Sequence, residues 1–337
     1  MPNASPATDW KELPTPGEAE RFEGYAKLLG EMQREAADGE PRRALHAKGL
    51  LGARATFTVL DGLPAHARVG LFAAPGTHDA WVRFSNGMGQ VRADAKGDVR
   101  GLAIKVLGVP GRKIIPGLED ATTQDFLLIQ SPALAVRDAD EFMFLVDAGR
   151  KPLTLLPRFI GRFGFGRTLK ILGGLPKSFP SGVPSLAALQ FWSPVPIQYG
   201  PYAARCSVRP IDPPAAPSGR RGASYLGDDL AAALAARPLA WSFLVQFYVD
   251  AVRTPIEDAS IDWREDVSPF LEVARLELPQ QDVRSPEGQR DAQLVEEMSF
   301  DPWHALVEHR PLGSMMRARG PAYRVSTQQR KASSEPR

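Results

Sequence analysis

The residues of this 337-residue chain able to carry acid–base, nucleophilic or metal chemistry are few. The histidines are His46, His66, His78, His304 and His309; they hold one i, i+5 pair and no tight cluster, which disfavours a metal bound by histidine alone. A single cysteine, Cys206, excludes an intramolecular disulfide and a cysteine-rich metal site, and its surroundings read as a strand with an inert buried thiol. There is no glycine-rich phosphate loop, no HExxH and no G-x-S-x-G elbow, so a hydrolase triad stays open but unsupported. Arginine is the recurrent neighbour of the remaining candidates. Arg43 precedes His46 by three residues and Arg319 precedes Tyr323 by four. Taken alone, the first is a capping or surface histidine and the second an ordinary helical Arg–Tyr pair.

The elements that must position these residues are mostly short strands. The 31 prolines and 30 glycines fall between short apolar segments, a punctuation that suits strands joined by turns. Residues 53–59 and 80–85 alternate as strands, 99–106 and 125–130 extend the series, and 202–208, 241–249 and 270–278 read as further strands. An antiparallel sheet or barrel follows from that spacing. Pro16 to Gly39 is a helical candidate, with Thr15 and Glu18 as a capping box and Pro16 as its first residue. Residues 140–146 read as a helix, and Leu153 to Leu172 is apolar and basic at helical spacing. Pro302 to Arg319 is also compatible with helix, and Gln328 to Arg337 is a polar tail. Pro213 to Gly222 is the best linker candidate, or an ordinary surface loop.

Composition excludes several classes. Hydrophobic content of 43% and charged content of 24% suit a soluble globular protein. The formal charge of +2 with dispersed Lys and Arg argues against nucleic acid. Neither a signal-like N-terminus nor a stretch of ~18 apolar residues is visible, so the expected location is cytoplasmic, with no membrane span.

Six segments, read together, resemble the catalase family. Arg43-Ala-Leu-His46-Ala-Lys-Gly49 is similar to the distal segment, and Val82-Arg83-Phe84-Ser85 to the strand whose Arg and Ser face the haem. Asp98-Val-Arg100-Gly101-Leu-Ala-Ile-Lys105 is similar to the Asp-x-Arg-Gly-Phe-Ala-x-Lys strand. Residues 123–129 fall where catalases carry a distal asparagine and Phe-Phe-Ile. Arg319-Gly-Pro-Ala-Tyr323 is similar to the proximal motif, and Arg330 follows Tyr323 by seven residues as in catalases. The order is the family's, across roughly residues 40 to 130 and 300 to 330.

The resemblance implies an α+β fold, an antiparallel catalase-like β-barrel with flanking helices, holding one haem b. Residues 1–40 would form a helical arm, 41–330 the haem domain and 331–337 a tail. Tyr323 would be the iron ligand, a phenolate that donates negative charge to Fe(III), with Arg319 the cation beside it. His46 would be the distal acid–base, since a neutral imidazole can take a proton and return it. Ser85 and Thr123, the latter at the asparagine's position, would complete the distal side. A threonine reaches less far than an amide and has one donor. Arg43, Arg83 and Arg330 would bind the propionates, with a solvated surface arginine the plainer reading of Arg330. Pro321 implies that Arg319 and Tyr323 flank a helix start or kink.

The chain is shorter than ordinary catalases, which implies an open route to the haem, bulkier substrates and a monomer or homodimer. It therefore resembles the small catalase-like peroxidases and, more distantly, the allene oxide synthases. The expected function is reduction of hydrogen peroxide or organic hydroperoxides by an unidentified electron donor. A fatty-acid hydroperoxide isomerase or lyase, and a haem-binding protein without turnover, are the rivals. A barrel that has lost haem and binds another apolar ligand is a third.

Overall fold

The computed structural model describes residues 6–36, 43–218 and 222–332. Its nine strands are β1 (Gly49–Val59), β2 (Gly76–Asn86), β3 (Arg100–Val106), β4 (Gln124–Ile129), β5 (Phe191–Trp192), β6 (Ile197–Tyr199), β7 (Tyr202–Ile211), β8 (Leu239–Phe247) and β9 (Leu271–Leu278). They hydrogen-bond in the order β5-β4-β3-β2-β1-β9-β8-β7-β6, every pairing antiparallel. A further pairing, Phe191 with Val208 and Trp192 with Ser207, joins β5 to β7. It closes eight strands into a barrel and leaves β6 as an appendage of β7. Closure removes the unpaired edges that an open sheet would expose.

The barrel interior is filled. Phe57, Phe72, Phe126 and Phe243 meet there, with ring centroids 5.1 Å apart for Phe57–Phe243 and 4.9 Å for Phe126–Phe243. These edge-to-face contacts pack aromatic rings in the middle of the barrel. The outer face of β2 is an obvious place for a site, because Trp81, Arg83 and Ser85 are buried on it instead of facing water. Lys105 and Asp125, opposite each other on β3 and β4, are fully buried and paired at 2.7 Å.

Six α-helices flank the barrel among the described residues: α1 (Glu18–Ala36), α2 (Ala139–Gly149), α3 (Leu155–Ser178), α4 (Tyr225–Ala236), α5 (Pro286–Glu297) and α6 (Ser314–Arg330). Asp138 caps α2 through Glu141 N–H, and Ser285 caps α5 through Gly288 N–H. The first turn of α1 departs from expectation. Gly17 takes φ +69°, so the helix begins at Glu18 and only the Glu18 carboxylate reaches back, to Thr15 N–H. Pro302 to Gly313 is mostly irregular, with one short 3-10 turn, and helix starts only at Ser314. Its start is set by Gly313 at φ +84°, where a Cβ would come within 2.5 Å of the Ile256 carbonyl. The expected break at Pro321 is absent. Helix α6 runs through it, held by Arg317 on Glu12, Glu18 and Glu257 and by Val325 against Gly30 of α1.

One closed sheet spans the Pro213 to Gly222 segment, which is a loop between β7 and α4, with residues 219–221 outside the description. The expected boundary at residues 40 and 41 lies outside the described residues, as does the tail beyond 332. No helix among the described residues is long and apolar enough to cross a membrane.

Candidate active site

His46 sits in the turn entering β1 with φ +56°, a left-handed conformation that a histidine adopts only when its surroundings over-determine it. They do. Its N–H donates to the Gly87 carbonyl at 2.8 Å, Ala47 N–H donates to Met88, and its own carbonyl accepts from Arg83 at 3.0 Å. The receiving turn is fixed in turn by Asp98, whose carboxylate accepts from Gly87 N–H and Met88 N–H at 3.1 and 3.0 Å. Arg100 ties the next layer together, bonding Asn86 and the carbonyls of Asp94 and Lys96. The Asp-x-Arg pair of β3 thus scaffolds the His46 backbone and does not itself reach the imidazole.

The ring lies on the outer face of the barrel. Its Nδ1 is 2.9 Å from Ser85 Oγ. Gly101, opposite Ser85 on β3, leaves the space the ring occupies: a Cβ there would be 2.7 Å from His46 Nδ1. This glycine is a site residue that the sequence pattern contains without announcing; a lone strand glycine marks close approach of another group.

Helix α6 supplies the opposing side chains. Arg319, Tyr323 and Arg330 fall at i, i+4 and i+11, close to one face. Tyr323 and His46 are reached by the charges of the same two arginines, Arg43 and Arg319, which brings the two ends of the chain to one place. Burial, then Arg83, Arg319 and Arg43, push the His46 imidazole down to about 3. Burial pushes the Tyr323 phenol up, against the pull of Arg319. Both side chains nevertheless keep accessible surface, as groups bordering a cleft do.

Four arginines converge here. Arg83 donates to Glu296 at 2.8 and 3.2 Å, and Arg43 to the same carboxylate at 2.7 Å. Arg330 donates to the Glu296 carbonyl at 3.2 Å, and its buried Nε has no hydrogen-bond partner among the described residues. Far from being a solvated residue of a frayed tail, Arg330 sits in the last turn of α6 beside Arg83. Burial drives Arg43 down to about 9, with Arg83 and Arg330 adding repulsion. Glu296, at the end of α5, was invisible to sequence reasoning because no motif surrounds it. Burial works against its charge, but Arg83 and Arg43 outweigh burial and hold its carboxyl below the usual range. Gly49 makes room for it: a Cβ there would be 2.3 Å from Glu296 Oε1. The site is therefore an arginine cluster with one internal carboxylate, a setting that favours an anionic ligand.

Thr123 precedes β4 and is paired with a histidine of the C-terminal segment. Its Oγ1 lies 3.2 Å from His304 Nδ1. It precedes β4 at the end opposite Ile129, the residue that pairs with Gly101. Six residues of strand, about 20 Å at ~3.3 Å each, separate it from the His46 end. The i, i+5 histidines are also parted, His304 toward Thr123 and His309 accepting from Leu71 N–H at 3.2 Å. Among the described residues no group of three His, Cys, Asp or Glu side chains could hold a metal.

The sequence matches no family model and no curated protein. Solved structures do match in fold. A fungal catalase superposes with a TM-score of 0.68 at 18% identity, covering 90% of this chain and 62% of its own. Catalase A from Saccharomyces cerevisiae gives 0.65 at 15% identity, over 91% of this chain and 64% of its own. A bacterial catalase gives 0.59 at 16%, over 99% and 64%. The chain spans under two thirds of the length of these catalases, and its fold is catalase-like.

Proposed function

We propose that this catalase-like chain is a haem-dependent peroxidase that reduces hydrogen peroxide or organic hydroperoxides using an organic electron donor. The observation that carries the reading is the surplus of arginine around His46 and Tyr323. Arg43 and Arg83 share the Glu296 carboxylate, Arg330 bonds the backbone carbonyl of the same residue, and the Arg330 Nε is buried without a hydrogen-bond partner among the described residues. That set suits a cofactor with two carboxylates, and the single phenol on the facing helix suits its iron. Arg43, Arg83 and Arg330 would hold the propionates, and Tyr323, beside Arg319, would ligate the metal. When bound, haem supplies the redox step of O–O cleavage that side chains lack.

The chain's own part is proton handling. His46 is neutral throughout the physiological range, so one ring nitrogen is a free base. If Nδ1–H donates to Ser85 Oγ, the lone pair is on Nε2, aimed away from the strand. A proton taken from the near oxygen of a peroxide is held only briefly, because three arginines oppose an imidazolium. It is passed to the departing oxygen, which leaves as water or an alcohol.

An absorption titration of the purified protein with haem is the test. A Soret band at one haem per chain, altered in Tyr323→Phe with the fold retained, is the expected result. A spectrum that never responds to haem overturns the reading. With haem bound, loss of a lipid hydroperoxide without any donor would instead identify an isomerase.

A further inference from the structure

The segment from Arg150 to Lys177 plays no part in the arginine cluster, yet it is the most unusual surface of the molecule. It carries seven Lys and Arg and no Asp or Glu, in a chain whose formal charge is only +2. Three of the seven are neutralised by Glu35, Asp147 and Glu141. Lys151, Arg162, Lys170 and Lys177 meet no carboxylate among the described residues. The same segment supplies five of the ten large hydrophobic side chains left exposed among the described residues: Leu153 at 97%, Leu156 at 49%, Ile160 at 37%, Phe165 at 65% and Leu169 at 54%.

The fold explains the inner face but not this outer one. Phe159 and Ile171 are buried, and Phe159 and Phe163 each stand 5.0 Å from Phe144 of α2. Gly164, at φ +74°, breaks α3 into two halves. Each half presents an exposed apolar pair one turn apart, Leu156 with Ile160 and Phe165 with Leu169.

We propose that this broken helix is a docking surface for anionic lipid bilayers. Unpartnered cations alternating with exposed Leu, Ile and Phe match the two layers of an anionic membrane, headgroup charge above acyl carbon. A second copy of the chain does not fit, because an isologous contact would bring two such cationic faces together. Nor does nucleic acid, which would leave the aliphatic pairs in water.

Vesicle co-sedimentation of the full chain tests this independently of haem. The expected result is retention on vesicles containing about a third phosphatidylglycerol, none on phosphatidylcholine alone, and release by salt. Arg162→Gln with Lys170→Gln should lower retention roughly 30-fold, each charge contributing about 5-fold. Phe165→Ser with Leu169→Ser should also abolish it, with an unchanged melting curve because both side chains are exposed. Equal retention on both vesicles, or on neither, overturns the proposal. A dimer in sedimentation that Phe165→Ser/Leu169→Ser dissolves would assign the face to a second copy instead. Retention of a DNA oligonucleotide in place of vesicles would overturn it equally.

Discussion

His46 Nδ1 and Ser85 Oγ meet at 2.9 Å across the outer face of the barrel, with Gly101 on the neighbouring strand leaving the imidazole its seat. The two residues come from the β1 approach and the end of β2, whose backbones already pair at Gly49 and Ser85. Ser85, whose hydroxyl can donate or accept, therefore holds the ring against rotation in either tautomer. Ser85→Ala should leave haem uptake unchanged and slow peroxide turnover about 5-fold, the value of one ordinary hydrogen bond of ~1 kcal/mol. Steady-state rates beside a haem titration check it. Parental turnover in that variant would show that Ser85 does not orient the base.

The depressed basicity of His46 fixes the expected pH dependence. A histidine with its ordinary value of 6.5 would lose its base function below neutrality, whereas His46, at about 3, keeps it. Turnover should accordingly show no inflection near pH 6.5 that belongs to His46, and should stay level to about pH 5. Stability moves the other way. Between pH 6.5 and about 3 the unfolded chain binds a proton here that the folded chain does not, so this residue's contribution weakens the fold as pH falls. A pH–rate profile with an acid limb near 6.5, abolished in His46→Ala, would contradict the assignment.

Much of the barrel was legible because β1 and the end of β9 alternate with one face packing inward, while β2 and β7, buried on both faces, still alternate in residue type. Residues 302–312 misled because Trp303, Leu306 and His309 have helical spacing, but Leu306 and His309 are buried and Trp303 half-buried in an irregular segment. Tyr323, His46, Ser85 and the arginines could be located because motifs surround them. Glu296 could not, since its role depends on three arginines distant in sequence. Pro321 was expected to break α6, yet one lost hydrogen bond is outweighed by the packing of α6 on α1.

Glu296 competes with any carboxylate ligand for Arg43 and Arg83. Glu296→Gln should therefore raise the affinity for haem, by roughly 5- to 10-fold, a modest share of what a charged hydrogen bond provides. The same change should lower the melting temperature of the haem-free protein, because the arginines then repel each other uncompensated. Haem dimethyl ester, which has no carboxylates, should bind the two proteins alike. Fluorescence titrations with both ligands read the difference directly. An unaltered haem affinity would mean that Glu296 and the cofactor use different arginines.

His46→Ala is the substitution on which the acid–base role stands or falls. The ring is held by the outer face of the barrel, and Tyr323 belongs to α6, so removing the imidazole should leave haem binding and the Tyr323-dependent spectrum intact. Peroxide-dependent oxidation of the donor should fall by about 10² to 10⁴, the usual contribution of a placed acid–base group. Two histidines serve as controls. His66 lies in a short 3-10 turn against Phe247, and His78 lies on β2 with Nδ1 3.2 Å from the Leu107 carbonyl. Neither is among the charges acting on Tyr323 or His46, so His66→Ala and His78→Ala should keep parental rates. Rapid-mixing spectra with peroxide separate the outcomes. Parental reactivity in His46→Ala would remove the imidazole from the chemistry and leave the arginine cluster with a haem-binding role alone.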